Sequence, residues 1–198
     1  MDESSPQSPS YSQEELAALG LGSCGSDVLI HRSVVLFNPG QIHLGSHVRI
    51  DCFSLLSAGP EGIHIGDRVH LAVSSYVFGG GGRVEFAPFS GLSSRVSLYT
   101  ATDDYGGEFL TNPTVPERYR NCLNGPITLG RHVIIGANSV IMPNVILGDG
   151  VAVGAMSFIN KSVEAFNVVV GRPAKVIGKR DQGLLALEQE LLATEAGE

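Results

Sequence analysis

From Leu129 onward an aliphatic residue or alanine recurs at every sixth position: Leu129, Ile135, Ile141, Leu147, Val153, Ile159 and Ala165. Four residues after each stands a small or β-branched one: Val133, Ser139, Val145, Val151, Ser157, Val163 and Val169. Glycine follows the aliphatic residue at Gly130, Gly136, Gly148 and Gly154. An α-helix needs a period of about 3.6, and it does not survive turns such as Leu147-Gly148-Asp149-Gly150. A six-residue period instead gives each hexad one short strand and one turn, and three hexads close a triangular coil of a parallel β-helix. The expected fold is therefore all-β. Leu129, Leu147 and Ala165 should stack inward in one column, Ile135 and Val153 in a second, Ile141 and Ile159 in a third.

The same phase runs upstream with interruptions. Leu44, Ile50 and Leu56 make one coil, Ile65, Leu71 and Val77 the next, and Phe86, Leu92 and Leu98 a third. Extra residues around Gly59–Gly62 and Gly79–Gly82 read as bulged turns, and Ile30, Val34 and Leu36 as a ragged first coil. Between Leu98 and Leu129 the step is 31 residues instead of six, so a loop near 99–126 leaves the prism at a corner. Long loops on compact domains are commonly functional. This one carries Asp103, Asp104, Tyr105, Asn112 and Arg118.

The 198 residues divide into a Ser/Pro-rich, disordered tail over 1–11, a β-helix domain over 12–180 with the loop 99–126, and a C-terminal helix within 181–198. Ser12 with Glu15 three residues later reads as a capping box. Leu184, Leu187, Leu191 and Leu192 fall near helical spacing, which makes that helix a brace for the solenoid. A net charge of −7 argues against nucleic acid or an anionic membrane as partner. No apolar run reaches the ~18 residues of a membrane span, and the first ten residues are polar, which places the chain in the cytoplasm. Three scattered cysteines form neither a disulfide framework nor a Cys-pair zinc motif.

The run "VIIGANSVIMPNVILGDGVAVGAMSFINKSVEAFNVVVGRPAKVIGKR", with "YTATDDYGGE" before the loop, resembles the hexapeptide acyltransferases. It is most similar to the branch holding maltose and galactoside acetyltransferases and the nucleotide-amino-sugar N-acetyltransferases of surface-polysaccharide (lipopolysaccharide) synthesis. The resemblance implies a left-handed β-helix, a homotrimer, active sites between neighbouring subunits, and acetyl-CoA as co-substrate without a metal. It also implies that Ala137 and Ala155 hydrogen-bond the pantetheine arm through their backbone, although both read equally as small turn residues. Asn160, Lys161 and Lys175 match positions that contact the phosphates and adenine of CoA, and Arg172 and Lys179 add charge beside them.

Sugar O-acetyltransferases of this group carry a histidine in a Tyr-Thr-x-x-His segment. Here the aligned residue is Asp103. A carboxylate with a pKa near ~3.9 is a poor base for a hydroxyl, whereas an amine near ~8 keeps a useful neutral fraction unaided. The expected acceptor is thus the amine of a nucleotide-linked amino-deoxy sugar, such as a 4-amino-4,6-dideoxy sugar. Asp103, then Asp104, would hold the amine and accept a proton, and His70 would be the substitute base. Tyr99, Tyr105 and Asn138 are candidate acceptor contacts. Ser93 and Ser94 have no histidine placed to activate them as nucleophiles. Three other readings stand beside this one: a sugar O-acetyltransferase, a non-catalytic trimeric scaffold, and a zinc hydratase holding metal through three histidines between subunits.

Overall fold

The computed structural model describes residues 9–197. The chain is a parallel β-helix of about seven turns. Its first face carries Ser23–Cys24, Ile42–Leu44, Ile63–Ile65, Val84–Phe86, Ile127–Leu129 and Val145–Leu147. The second face carries Leu29–Ile30, Arg49–Ile50, His70–Leu71, Gly91–Leu92, Ile134–Ile135, Ala152–Val153 and Asn167–Gly171. The third carries Val35–Phe37, Leu55–Ala58, Tyr76–Gly79, Ser97–Tyr99, Val140–Ile141 and Phe158–Ile159. Strands of two to five residues suffice because those inside the solenoid pair in parallel with the coils above and below, not with their neighbours in sequence.

The inward columns follow from the hexads. Leu129 pairs with Leu147, Ile135 with Val153, and Ile141 with Ile159. All six are buried, and each larger side chain contributes about 1.5–3 kcal/mol. The small inward positions hold serines whose hydroxyls bond the chain locally: Ser75 Oγ donates to Ala72 O and Ser157 Oγ to Gly154 O, both at 2.6 Å. A buried hydroxyl left unpaired would be costly, and neither of these is.

One column departs from the expected register. Ala165 is exposed, and Val163 bridges Leu147 in its place. Val169, expected at the small position, pairs with Val153 and is buried. The corner after Ile159 is two residues shorter than the one after Ile141, so the last coil closes early. The six-residue spacing persists in the sequence while the register slips beneath it.

The corners have their own regularity. Between first and second faces, Asp27, His47, Arg68, Phe89, His132, Gly150 and Phe166 all hold positive φ. Between second and third faces, Phe53, Ser74, Arg95, Asn138 and Met156 do the same. Left-handed residues reverse the chain in few atoms. Asn138 is thus a turn former at φ 60°.

The ends are closed. Ser10 bridges His31 and Tyr11 N–H bonds Ile30 O at 3.0 Å, so order reaches into the segment expected to be disordered, whose residues 1–8 lie outside the described ones. The helix Gln13–Ala18 carries the expected capping box between Ser12 and Glu15. At the other end Ala174–Lys179 folds back antiparallel on Asn167–Gly171. The C-terminal helix, Leu184–Glu195, returns along the first corner, held by ion pairs of Glu188 with Arg131 and of Glu195 with Arg68 and by a 2.7 Å hydrogen bond between Glu188 and His132 Nε2. Among the described residues no helix is long and apolar enough to cross a membrane.

Candidate active site

The insertion is a hairpin. Ala101–Asp103 pairs antiparallel with Cys122–Asn124, and the intervening chain projects from the end of the third-face strand Ser97–Tyr99. Thr102, Asp103, Asp104, Tyr105, Asn121, Cys122 and Leu123 line one cleft there. Asp103 Oδ2 accepts the Asn112 N–H at 3.2 Å, and Oδ1 accepts the Cys122 thiol at 3.4 Å. That bond to a carboxylate, with burial, pushes the Cys122 thiol above its ordinary pKa. Asp104 is bonded within the loop instead, where Oδ1 accepts the Gly106 N–H at 2.7 Å and Oδ2 the Asn121 amide at 3.1 Å. The Gly106 bond, then the Asn121 bond, hold its carboxyl below the usual range. Asp104 therefore ties the root of the loop, and Asp103 keeps the weaker partners and the freer charge.

The second-to-third corner forms a continuous rail. Ala155 stands above Ala137, and Ala137 above Ser94, each two residues past an inward aliphatic residue. The Met156 N–H donates to Ala137 O at 2.8 Å and the Asn138 N–H to Ser94 O at 3.0 Å. Gly136 makes this tight approach possible: a Cβ there would lie 2.4 Å from Ala155 N. Arg172 extends the rail upward, its Nε donating to Met156 O at 2.8 Å. Ser94 is a member of this rail that the family motif does not single out. Counting two residues on from Leu92, as Ala137 follows Ile135, finds it.

At the top, Asn160, Lys161 and Lys175 line a single cleft with Phe158, Val169 and Val176. Lys179 does not join them. It pairs with Asn167 at the far end of the strand on which Lys175 pairs with Val170.

His70 sits elsewhere. It lies on the second face, not beside the root of the insertion, because a whole corner separates that face from the strand that launches the hairpin. Its Nε2 bonds Asp51 Oδ2 at 2.8 Å, and Arg49 Nε bonds Asp51 Oδ1 at 2.7 Å. Burial acts to raise the Asp51 pKa, but the bonds from His70 and Arg49 outweigh it and leave the carboxyl below its ordinary value. The cleft that His70 lines shares no residue with that of Asp103. It does contain Ser93 and Ser94. Tyr99 stacks on Phe78 with ring centroids 4.9 Å apart on the outer side of the third face, and Tyr105 meets Thr102 Oγ1 at 3.4 Å in the hairpin cleft. Among the described residues no three His, Cys, Asp or Glu side chains converge as a metal site.

Comparison with known proteins places these features in context. Residues 126–161 match the family described as bacterial transferase hexapeptide (six repeats). The chain is 42% identical, over 88% of its length and 90% of the relative's, to a dTDP-4-amino-4,6-dideoxy-D-glucose acyltransferase of Escherichia coli. It superposes with a TM-score of 0.91 and 41% identity on AntD, an N-acyltransferase from Bacillus cereus solved with dTDP and 3-hydroxybutyryl-CoA, covering 96% of this chain and all of that one. Variants of AntD at an aspartate, and at a serine ten positions before it, have also been solved. A maltose O-acetyltransferase from Clostridium difficile shares the fold at 20% identity and a TM-score of 0.55, over 86% of this chain and 75% of that one.

Proposed function

This chain belongs to the hexapeptide-repeat acyltransferases, and on that premise we propose that it transfers an acyl group from acyl-CoA to the 4-amino group of a nucleotide-linked 4-amino-4,6-dideoxy sugar. The observation that carries this reading is Asp103, a lightly held carboxylate at the position where hydroxyl-acylating relatives have histidine. The spacing of the variants solved for AntD fits it, since Ser93 precedes Asp103, and Ser94 precedes Asp104, by the same ten positions.

In this reading the pantetheine arm follows the rail of Ala155 and Ala137, whose exposed backbone groups pair with its amides. The CoA phosphates lie near Lys161 and Lys175, with Asn160 and Arg172 alongside. The thioester then reaches the level of Ser94. Asp103 accepts a hydrogen bond from the acceptor's ammonium and takes one proton, leaving the neutral amine to attack the thioester carbonyl. The C–N bond forms, the tetrahedral intermediate collapses, the C–S bond breaks, and the second nitrogen proton leaves as the CoA thiolate is protonated. The products are an amide and free CoA. Because the hairpin of one chain and its own rail lie on opposite edges of the third face, the complete site takes Asp103 from one copy and the rail from another. A homotrimer provides this. The outer side of the third face supports it with the apolar Val35, Phe37, Leu55, Tyr76, Phe78 and Tyr99. The amide product suits surface-polysaccharide synthesis from cytoplasmic sugar nucleotides.

The test is CoA release from acetyl-CoA and longer acyl-CoAs with a dTDP-4-amino-4,6-dideoxy sugar and with its 4-hydroxy counterpart. Turnover with the amine alone is expected. Equal turnover with the hydroxyl sugar would return the protein to the O-acetyltransferases. Scattering mass in solution should be three times 20.9 kDa.

A further inference from the structure

Asp103 and Cys122 stand directly opposite each other where Ala101–Asp103 pairs with Cys122–Asn124. Opposed residues of an antiparallel pair put their side chains on the same side of the ribbon, so thiol and carboxylate meet in the hairpin cleft that both line. The carboxylate is held on both oxygens, Oδ1 by the Cys122 thiol at 3.4 Å and Oδ2 by the Asn112 N–H at 3.2 Å. Each oxygen accepts one of these bonds and keeps a lone pair for an incoming ammonium.

The thiol is itself placed. Arg120 Nη1 donates to Cys122 Sγ at 3.9 Å, which occupies the acceptor side of the sulfur and leaves its proton for Asp103. The Nε atom of the same guanidinium is out of solvent and has no partner among the described residues. A donor buried in that way works against stability, so the fold alone gives no reason for an arginine there.

The choice of sulfur matters as well. A thiol is a weak donor. Nitrogen donors hold Asp104 more tightly, the Gly106 N–H at 2.7 Å and the Asn121 amide at 3.1 Å. Strong donors of that kind on Asp103 would compete with a substrate ammonium for its charge. The bond to Asp103, then burial, raise the Cys122 pKa, with Glu117 adding to the rise and Arg120 opposing it. The net direction keeps Cys122 protonated, and therefore a donor, at neutral pH.

We propose that Cys122 is a positioning residue for acyl transfer, its thiol turning the Asp103 carboxylate to receive the acceptor's ammonium. The inference rests on the proposed function and deepens it by naming what aims the carboxylate. The sulfur takes no acyl group and gives up no proton in the cycle.

Two readouts on the full-length protein test this. The first is the thiolate absorbance of Cys122 against pH, with Cys24→Ser and Cys52→Ser in place so that one thiol remains. Adding Asp103→Asn removes the carboxylate and should move the titration down, toward the ordinary thiol value. An unmoved titration overturns the bond. The second is steady-state kinetics with acetyl-CoA and a dTDP-4-amino-4,6-dideoxy sugar. Cys122→Ala should cut kcat roughly tenfold, as loss of a bond to a charged group does, with CoA affinity unchanged. Cys122→Ser supplies a stronger donor, so it should recover most of kcat and raise KM for the amino sugar instead. Arg120→Met, which frees the thiol to turn, should fall between Cys122→Ala and wild type. If Cys122→Ala keeps wild-type kcat while Asp103→Asn loses turnover, the positioning role falls and the proposed function stands. If Cys122→Ser is as inactive as Cys122→Ala, the sulfur itself takes part and the role is wrong. If Asp103→Asn turns over normally, Asp103 is not the proton acceptor and this inference falls with that reading.

Discussion

The coils over 127–159 and the hairpin over 101–124 are held by different forces. In the coils Ile127, Leu129, Ile135, Ile141, Val145, Leu147, Val153 and Ile159 are all buried, and Ile127–Leu129, Ile134–Ile135, Val140–Ile141 and Ala152–Val153 each pair on both sides. The hairpin buries no side chain between Ala101 and Asn124, and polar bonds from Asp103, Asp104 and Asn112 hold it. Packing makes the rail stiff, which suits a long ligand needing a fixed track. Polar bonds leave the hairpin adjustable, which suits a group that must meet a second molecule. Stability and proton chemistry are therefore expected to separate by region.

The strongest test of that separation is Ile135→Ala. A buried aliphatic truncated in a stacked column costs about 2–5 kcal/mol, so the midpoint of urea unfolding should fall sharply, and a small change would mean that the coils are less tightly packed than described. Ser157→Phe, overpacking the neighbouring column, should cost about 1–3 kcal/mol. The reverse pattern is expected for Asp103→Asn: unfolding unchanged and turnover cut at least about tenfold, toward the ~10²-fold effect of a positioned acid–base group. His70→Asn is its control. If His70→Asn abolishes turnover and Asp103→Asn does not, the base lies on the stiff region and the division fails.

Lys161→Ala and Lys175→Ala should act more gently, weakening CoA several-fold while the chemical step at saturating CoA stays near wild type. Wild-type affinity in both would move the phosphates elsewhere. The smallest effect concerns pH. Asp104 has a lowered folded pKa, so the stability it gives is present above the unfolded value near ~3.9 and is lost as pH falls through the folded value. The Gly106 amide signal should hold still from pH 7 to about 4.5 and move only below about pH 4. Movement near pH 6 would mean that another group controls the loop.

The same contrast explains what the sequence disclosed. The coils were legible because an inward aliphatic residue every sixth position is a physical necessity of a three-sided prism, and the hairpin was legible as the one long break in that count. Ala165 misled because spacing was read as register, and a corner shortened by two residues leaves the first intact while shifting the second. Asp103 stood out through the residue it replaces. Its hold on Cys122 did not, since hydrogen bonds across a hairpin follow from strand pairing and no local pattern encodes them. His70 reads as a substitute base from sequence because position along the coil is visible there while the face is not. Its bond to Asp51, one coil below, depends on the face.

The insertion also bears on how the chain assembles. Most parallel pairings join residues 16 to 21 apart in sequence, so a growing β-helix adds each coil by closing a short loop. At one junction, where Val84 meets Ile127 and Ser97 meets Val140, the separation is 43 residues. Doubling a loop costs roughly 0.6 kcal/mol in closure entropy, so this junction carries the largest closure cost of an otherwise local zipper. The pairing of Ala101–Asp103 with Cys122–Asn124 shortens the loop before the next coil docks. The segment that holds Asp103 is therefore also the splint across which the two halves of the solenoid join.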